Sequence, residues 1–131
     1  MGYSHVIPEL TIKFKDNKKK IDVFSPHHKR SFCFIDDAIS LILGSCFKIK
    51  SLNKVLNLGN MEEEVKIIDL VKKMKKILNS NKKLNLKGNT FGSPTRRFPD
   101  TSRIRKIKKI KKFTPLIDGL KKTITWYEKN Y

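Results

Sequence analysis

The sequence predicts one domain of mixed α/β or α+β architecture. Apolar residues recur at three- and four-residue spacing in some stretches and alternate in others, so helical and extended segments follow one another. Hydrophobic residues make up 38% of the 131 and aromatic residues 9%, too apolar for a disordered basic tail. No apolar run approaches the roughly 20 residues that cross a bilayer, and no signal-peptide pattern opens the chain. A single region over residues 1–131, without internal repeats, is the expectation.

The elements follow in order. Val6, Ile7, Leu10 and Phe14 mark an amphipathic helix, with Pro8 in its first turn, where a missing N–H is tolerated. A polar turn over residues 16–20 leads to Ile21-Asp22-Val23-Phe24, which alternates like a strand until Ser25-Pro26-His27-His28 breaks it. Ser31 to Ile35 is a second extended run. Asp36 or Asp37 then caps a helix whose Ala38, Ile39, Ile42, Leu43 and Cys46 cover a broad apolar face. Val55-Leu56-Asn57-Leu58 reads as a buried strand ended by Gly59-Asn60.

A helix from about Glu62 to Leu78 comes next, acids first and lysines later as the helix dipole favours. Its core stripe is Ile67, Ile68, Val71, Met74 and Leu78. Residues 79–99, with Gly88, Gly92, Pro94 and Pro99, form a polar loop. Thr101 or Ser102 caps a short helix bearing Ile104, Ile107 and Ile110 among basic residues. Leu116, Leu120, Ile124 and Tyr127 mark the last helix.

The formal charge of +18 invites a nucleic-acid reading, since clustered cations neutralise phosphates. Only five of the 30 basic residues are Arg, however, and Lys and Asn abound together, a bias of A/T-rich coding. The run Arg103–Lys112 is followed by a single aromatic, Phe113, whereas RNA-binding modules interleave aromatics for stacking. A nucleic-acid module built on that run is the alternative. His27, His28, Cys33 and Cys46 match no metal-ligand spacing, with Cys33 placed in a strand and Cys46 on an apolar helix face. No metal site and no catalytic constellation is expected. Two cysteines are too few for a disulfide framework, so a reducing cytosol is the default compartment.

The arginines carry more information. Arg30-Ser31-Phe32 sits just before an extended run, and Arg96-Arg97-Phe98-Pro99-Asp100 lies just before a helix. Arg at such junctions, in a chain that otherwise spends its positive charge as Lys, points to bidentate phosphate recognition.

Several colinear stretches resemble the C-terminal part of the extended short-chain dehydrogenase/reductases, the NAD-dependent nucleotide-sugar epimerases, dehydratases and decarboxylases. His5-Val6-Ile7-Pro8-Glu9-Leu10 is similar to the family helix after the substrate loop. Lys29-Arg30-Ser31-Phe32-Cys33-Phe34-Ile35-Asp36-Asp37 resembles the family's arginine–aromatic–aspartate signature, although Ser25-Pro26-His27-His28 replaces a common glycine-rich loop. Val55–Asn60 looks like the family's Asn-Ile-Gly-Asn strand end, Ser93–Arg103 its Arg-x-Pro-Asp segment, and Phe113–Tyr127 its terminal helix.

The resemblance implies an α/β fold, the substrate-binding portion without the N-terminal Rossmann half. It implies that Arg30 and Arg97 contact the diphosphate of a UDP-, GDP- or dTDP-linked sugar, Asp100 the ribose, and that Phe32 lies near the nucleotide. NAD is the cofactor of the intact family. The six glycines form no dinucleotide-binding fingerprint, and no Tyr-x-x-x-Lys is present, since Tyr3 and Tyr127 are followed four residues later by Ile7 and Tyr131. A truncated chain inactive by itself is expected, with no cofactor of its own. Its partners would be a nucleotide sugar and either a separately encoded Rossmann half or a full-length relative.

Overall fold

The structure, a computed structural model, describes residues 5–48, 53–108 and 112–130. Helices α1 (Val6–Lys15), α2 (Ile35–Cys46), α3 (Ile67–Ile77), α4 (Ser102–Ile107) and α5 (Leu116–Asn130) surround two short sheets. Strand β1 (Lys20–Val23) pairs in parallel with β4 (Lys83–Leu86). Strand β2 (Lys29–Ser31) lies between β3 (Glu64–Lys66), antiparallel to it, and β5 (Arg96–Arg97), parallel to it.

The main core closes where apolar stripes of different period meet. Leu10 and Phe14 of α1, Ile21 and Val23 of β1, Leu70, Val71 and Met74 of α3, and Leu120 and Ile124 of α5 are all buried together. Spacing by three and four on the helices and by two on β1 is what turns these side chains to one centre. The expected first helix, first strand and last helix are all present. Of the expected α3 stripe, Ile67, Val71 and Met74 are buried, Leu70 joins them, and Ile68 and Leu78 are only partly covered.

Elsewhere tertiary partners override local pattern. The segment 62–64 leaves the helix and its acids serve distant groups. Glu62 pairs with Arg105 at 2.8 Å, Glu63 accepts the Leu116 N–H that opens α5 at 3.0 Å, and Glu64 pairs with Arg96 at 2.6 Å. Glu64–Lys66 is thereby free to be a strand. Neither Asp36 nor Asp37 caps α2, whose N-cap is Phe34 without a side-chain bond. Asp37 instead accepts from the Thr114 N–H at 2.8 Å and the Thr114 hydroxyl at 3.2 Å, tying α2 to the approach of α5. The polar stretch 79–99 holds β4 and β5, because parallel neighbours supply the ladder that its composition does not advertise.

The second extended run is also displaced. β2 covers Lys29–Ser31, where its two partner strands lie, and Ile35 already belongs to α2. Val55–Leu58 is not a strand: no neighbour pairs with it among the described residues, and Val55 is 81% exposed. On α2 the buried residues are Leu41 and Ser45, while Ile39, Ile42 and Leu43 of the expected core face are exposed. Leu41 packs with Ile104 and Phe113 in a small second cluster. Thr101 is the N-cap of α4 without a side-chain bond, and the Asp100 carboxylate accepts the Ser102 N–H at 2.9 Å in its stead. Ile110 lies outside the described residues.

Lys82 joins β4 to the end of α1. Its ammonium donates to the Lys13 carbonyl at 2.8 Å, to the Asp16 carbonyl, and to the Asp16 carboxylate at 2.7 Å. These bonds satisfy carbonyls that a helix C-terminus leaves open. The Lys82 bond, more than any other cause, holds the Asp16 carboxyl below its ordinary 3.8. A depressed carboxylate stabilises the fold above its unfolded pKa, and that contribution is lost as pH falls through the folded value. Lys82→Met is expected to lower the melting midpoint at pH 7, with its deficit against wild type shrinking as pH drops below 3.8; melts across a pH series check it.

Candidate functional site

Alternation along β2 and β5 sorts the charges by face. The register sets Lys29 beside Arg96, Arg30 beside Arg97, and Ser31 opposite Glu64. Successive side chains point to opposite faces of a sheet. On one face Glu64 therefore takes Arg96 and reaches Lys29 at 4.0 Å. On the other face Arg30 and Arg97 stand together, and neither has a carboxylate within ion-pair distance among the described residues.

Both guanidiniums open into a cleft of about 620 Å³. Its other walls are the inner side of α1 with Glu9, Leu10 and Lys13, the end of β1 with Asp22 to Ser25, then Phe32, and Thr90 with Ser93 from the β4–β5 connection. Arg30 is partly buried and fixed by two bonds, from Nη1 to the Lys29 carbonyl at 2.7 Å and from Nη2 to Ser93 Oγ at 3.0 Å. Burial first, and the Arg97 charge second, push the Arg30 guanidinium below its ordinary value. Two adjacent cations without a counter-charge destabilise the empty protein and favour any dianion that reaches both.

Of the residues expected from sequence, Arg30, Phe32 and Arg97 are brought together in this cleft. Asp100 is not among its lining residues. Its carboxylate caps α4, and the Ser102 N–H and then the Ser102 hydroxyl hold its pKa below 3.8. Arg97 also lines an adjoining cleft with Phe98 and Pro99, so the Asp100 neighbourhood begins where the main cleft ends.

Sequence reasoning missed Phe24, Ser25, Lys13, Thr90 and Ser93 as lining residues. Ser25 had one available signal. It belongs to the Ser25-Pro26-His27-His28 stretch that ends the strand pattern, and its φ of 49° lies in the left-handed region that glycine adopts freely. Lys13 Nζ rides 5.4 Å above the Phe24 ring and pairs with Glu9 at 2.5 Å, so α1 presents a neutralised pair to the cleft. Nothing in local composition announces that contact.

The remaining candidates are dispersed. His27 is exposed. His28 is 4% exposed, and both of its ring nitrogens lack a partner. Cys33 lies in the link between β2 and α2 rather than in a strand, and Cys46 is exposed at the end of α2. Burial, and then the Asp37 charge, push the Cys33 thiol up, away from the reactive thiolate. Among the described residues no group of three or more His, Cys, Asp or Glu could hold a metal ion. No helix among them is long and apolar enough to cross a membrane.

The nucleic-acid alternative finds no support. α4 ends at Ile107, Ile104 is 1% exposed within the core, and Arg105 is spent on Glu62. Residues 109–111 of the run lie outside the described residues.

Arg97→Gln is expected to raise the melting temperature of the ligand-free chain at low ionic strength, because the like charge beside Arg30 is removed. Added phosphate should then raise the midpoint of wild type more than that of the variant. Thermal melts in low-salt buffer, with and without phosphate, measure both.

The sequence matches no family model and no curated protein. The fold does match solved structures. A UDP-glucuronic acid 4-epimerase from Bacillus cereus, in complex with UDP-glucuronic acid and NAD, superposes with a TM-score of 0.86 at 21% identity, over 98% of this chain and 41% of that one. A UDP-N-acetylglucosamine 4-epimerase from Methanobrevibacter ruminantium, in complex with UDP-N-acetylmuramic acid, gives 0.85 at 17% identity, over 100% and 41%. An NAD-dependent NDP-hexosamine 5,6-dehydratase of tunicamycin biosynthesis gives 0.83 at 14%, over 99% and 42%. The chain thus spans about two-fifths of the length of each neighbour, in agreement with a C-terminal portion. Its fold is thus similar to that of part of these epimerase and dehydratase structures.

Proposed function

We propose that the chain forms the nucleotide-sugar-holding portion of an NAD-dependent epimerase or dehydratase. The observation that carries this reading is the Arg30–Arg97 pair, unopposed by any described carboxylate and facing a cleft of about 620 Å³. A diphosphate offers one anionic group to each guanidinium, and each charge-assisted hydrogen bond contributes roughly 1.5–3 kcal/mol net. Phe32 would lie against the nucleotide. Asp100 would accept the ribose hydroxyls, provided the ligand runs past Arg97 toward Phe98 and Pro99. The nucleotide sugars bound to the Bacillus cereus and Methanobrevibacter enzymes support this class of ligand.

The chain's own residues bind and orient. NAD, when held by the rest of such an enzyme, supplies transient oxidation of the sugar. The groups that would hold NAD and move the proton are absent from these 131 residues, since neither the glycine fingerprint nor Tyr-x-x-x-Lys is present. The chain alone is therefore proposed to be inactive. The dinucleotide-binding portion would cover the broad apolar face of α2, whose Ile35, Ile39 and Leu43 are 60%, 45% and 58% exposed. A separate chain or a full-length relative would serve.

Circular dichroism melts with UDP-, GDP- and dTDP-sugars test the binding role, because a ligand raises stability only by preferring the folded state. One class of nucleotide sugar should raise the midpoint, and Arg30→Ala or Arg97→Ala should weaken binding roughly 10- to 150-fold. A midpoint indifferent to every nucleotide sugar overturns the reading. Turnover of any of them with NAD by the purified chain overturns the proposed inactivity.

Leu43→Glu should reduce concentration-dependent self-association in sedimentation velocity while leaving the melt unchanged, since α2 uses its opposite side for the core. Self-association equal to wild type would mean that this face is not the sticky one.

A further inference from the structure

Between β4 and β5 the chain makes a tight turn that ends on Ser93. The Ser93 N–H donates to the Thr90 carbonyl at 3.1 Å, and the enclosed Gly92 has a φ of 71°, the arrangement of a type II turn. The turn is also fastened to the segment after β1. Ser25 Oγ accepts the Thr90 N–H at 2.9 Å, and the Ser25 N–H donates to the Gly88 carbonyl at 3.2 Å. The Ser25 carbonyl in turn accepts the His28 N–H at 3.0 Å, just ahead of β2 and its Arg30. The circuit closes where Arg30 Nη2 donates to Ser93 Oγ at 3.0 Å.

The Ser93 hydroxyl is not needed to make this turn, because the bonds from Ser93 N–H to Thr90 and from Thr90 N–H to Ser25 already hold it. Among the described residues that hydroxyl has one hydrogen-bond partner, the Arg30 guanidinium. Arg30 Nη1 is held by the Lys29 carbonyl at 2.7 Å, so the guanidinium is gripped at both outer nitrogens. Two of its five N–H groups are thereby used, and three remain for a ligand in the cleft. Arg97 stands beside it with no side-chain hydrogen bond among the described residues. An unheld Arg30 would turn away from that like charge, and a ligand would have to bring it back by ordering a long side chain.

We propose that Ser93 is a positioning residue, holding the Arg30 guanidinium beside Arg97 in the orientation that receives the diphosphate. The inference rests on the diphosphate reading of the cleft and adds to it the group that sets the anion-binding geometry in advance. Ser93 acts on the ligand only through Arg30. Holding a binding group in place beforehand raises affinity, because its ordering cost is removed from the binding step. Arg30 is thus the fixed fork, and Arg97 the adjustable one that closes on the second phosphate. Ser25 supports the arrangement from the far side of the turn. Its left-handed backbone, with φ 49°, persists because the bonds to Gly88, His28 and Thr90 over-determine it.

Titration calorimetry of the full chain with inorganic pyrophosphate and with the tightest binder among UDP, GDP and dTDP tests the proposal. Ser93→Ala should weaken both ligands by the same factor, roughly three- to tenfold, and leave the melt of the free chain unchanged. Ser93→Thr, which restores the hydroxyl, should recover the affinity. In an Arg30→Ala background Ser93→Ala should add no further loss, because the group it positions is gone. Unchanged affinity in Ser93→Ala overturns the positioning role and leaves the diphosphate site standing. A loss confined to the nucleotide, or one repeated in full in the Arg30→Ala background, also overturns it, because Ser93 would then meet the ligand itself. Failure of wild type to bind either probe overturns both readings.

Discussion

The pairing of β2 between β3 and β5 is the constraint on which the site depends. Lined up by that ladder, Arg30 and Arg97 are neighbours whether or not their charges favour it. Backbone hydrogen bonds, including the Lys29 N–H to the Thr95 carbonyl at 2.8 Å, hold the strands together against the repulsion. Glu64 answers the cations on the opposite face, which leaves the cleft face alone with an excess of positive charge. A sheet three strands wide thus separates a satisfied surface from an unsatisfied one by nothing more than side-chain alternation.

The rest of the fold serves to place walls around that pair. α1 becomes one wall because Leu10 and Phe14 are drawn into the core with α3 and α5, while Lys82 fastens its last turn to β4. The β4–β5 connection becomes another because Ser25 and Arg30 grip Thr90 and Ser93. Close approach matters at one further point. A Cβ on Gly59 would stand 2.5 Å from Pro99 Cγ, so the segment before β3 and the segment before α4 meet only because residue 59 has no side chain.

Against this closed core the second half of the molecule is open. Leu41, Ile104 and Phe113 form a small cluster, and the remaining apolar side of α2 faces outward. Val55 to Leu58 has the composition of a strand but lacks a described neighbour to pair with. A helix with an exposed apolar face and a strand pattern without a ladder are both what a larger sheet would complete. The solved neighbours, each more than twice the length of this chain, are proteins of that larger kind.

Strong local periodicity was legible from the sequence, and so was the grouping of Arg30, Phe32 and Arg97. α1, β1, α3 from Ile67 onward and α5 follow directly from spacing, because an amphipathic stripe has one low-energy way to be buried. Short strands were not legible. β3, β4 and β5 are two to four residues long and rich in charge, and they exist only because partners far along the chain provide their hydrogen bonds. The acids misled for a related reason: Asp37, Glu62, Glu63 and Glu64 look like helix-capping or dipole-matching residues, yet each answers a group between 32 and 77 residues away. Composition and periodicity determined which segments could form and singled out Arg30, Arg96 and Arg97. Only the tertiary structure decided which arginines stand unopposed, that Asp100 lies beyond the main cleft, and that a turn ending on Ser93 is pinned to its rim. Those outcomes are set by strand register and long-range hydrogen bonds, which no local pattern encodes.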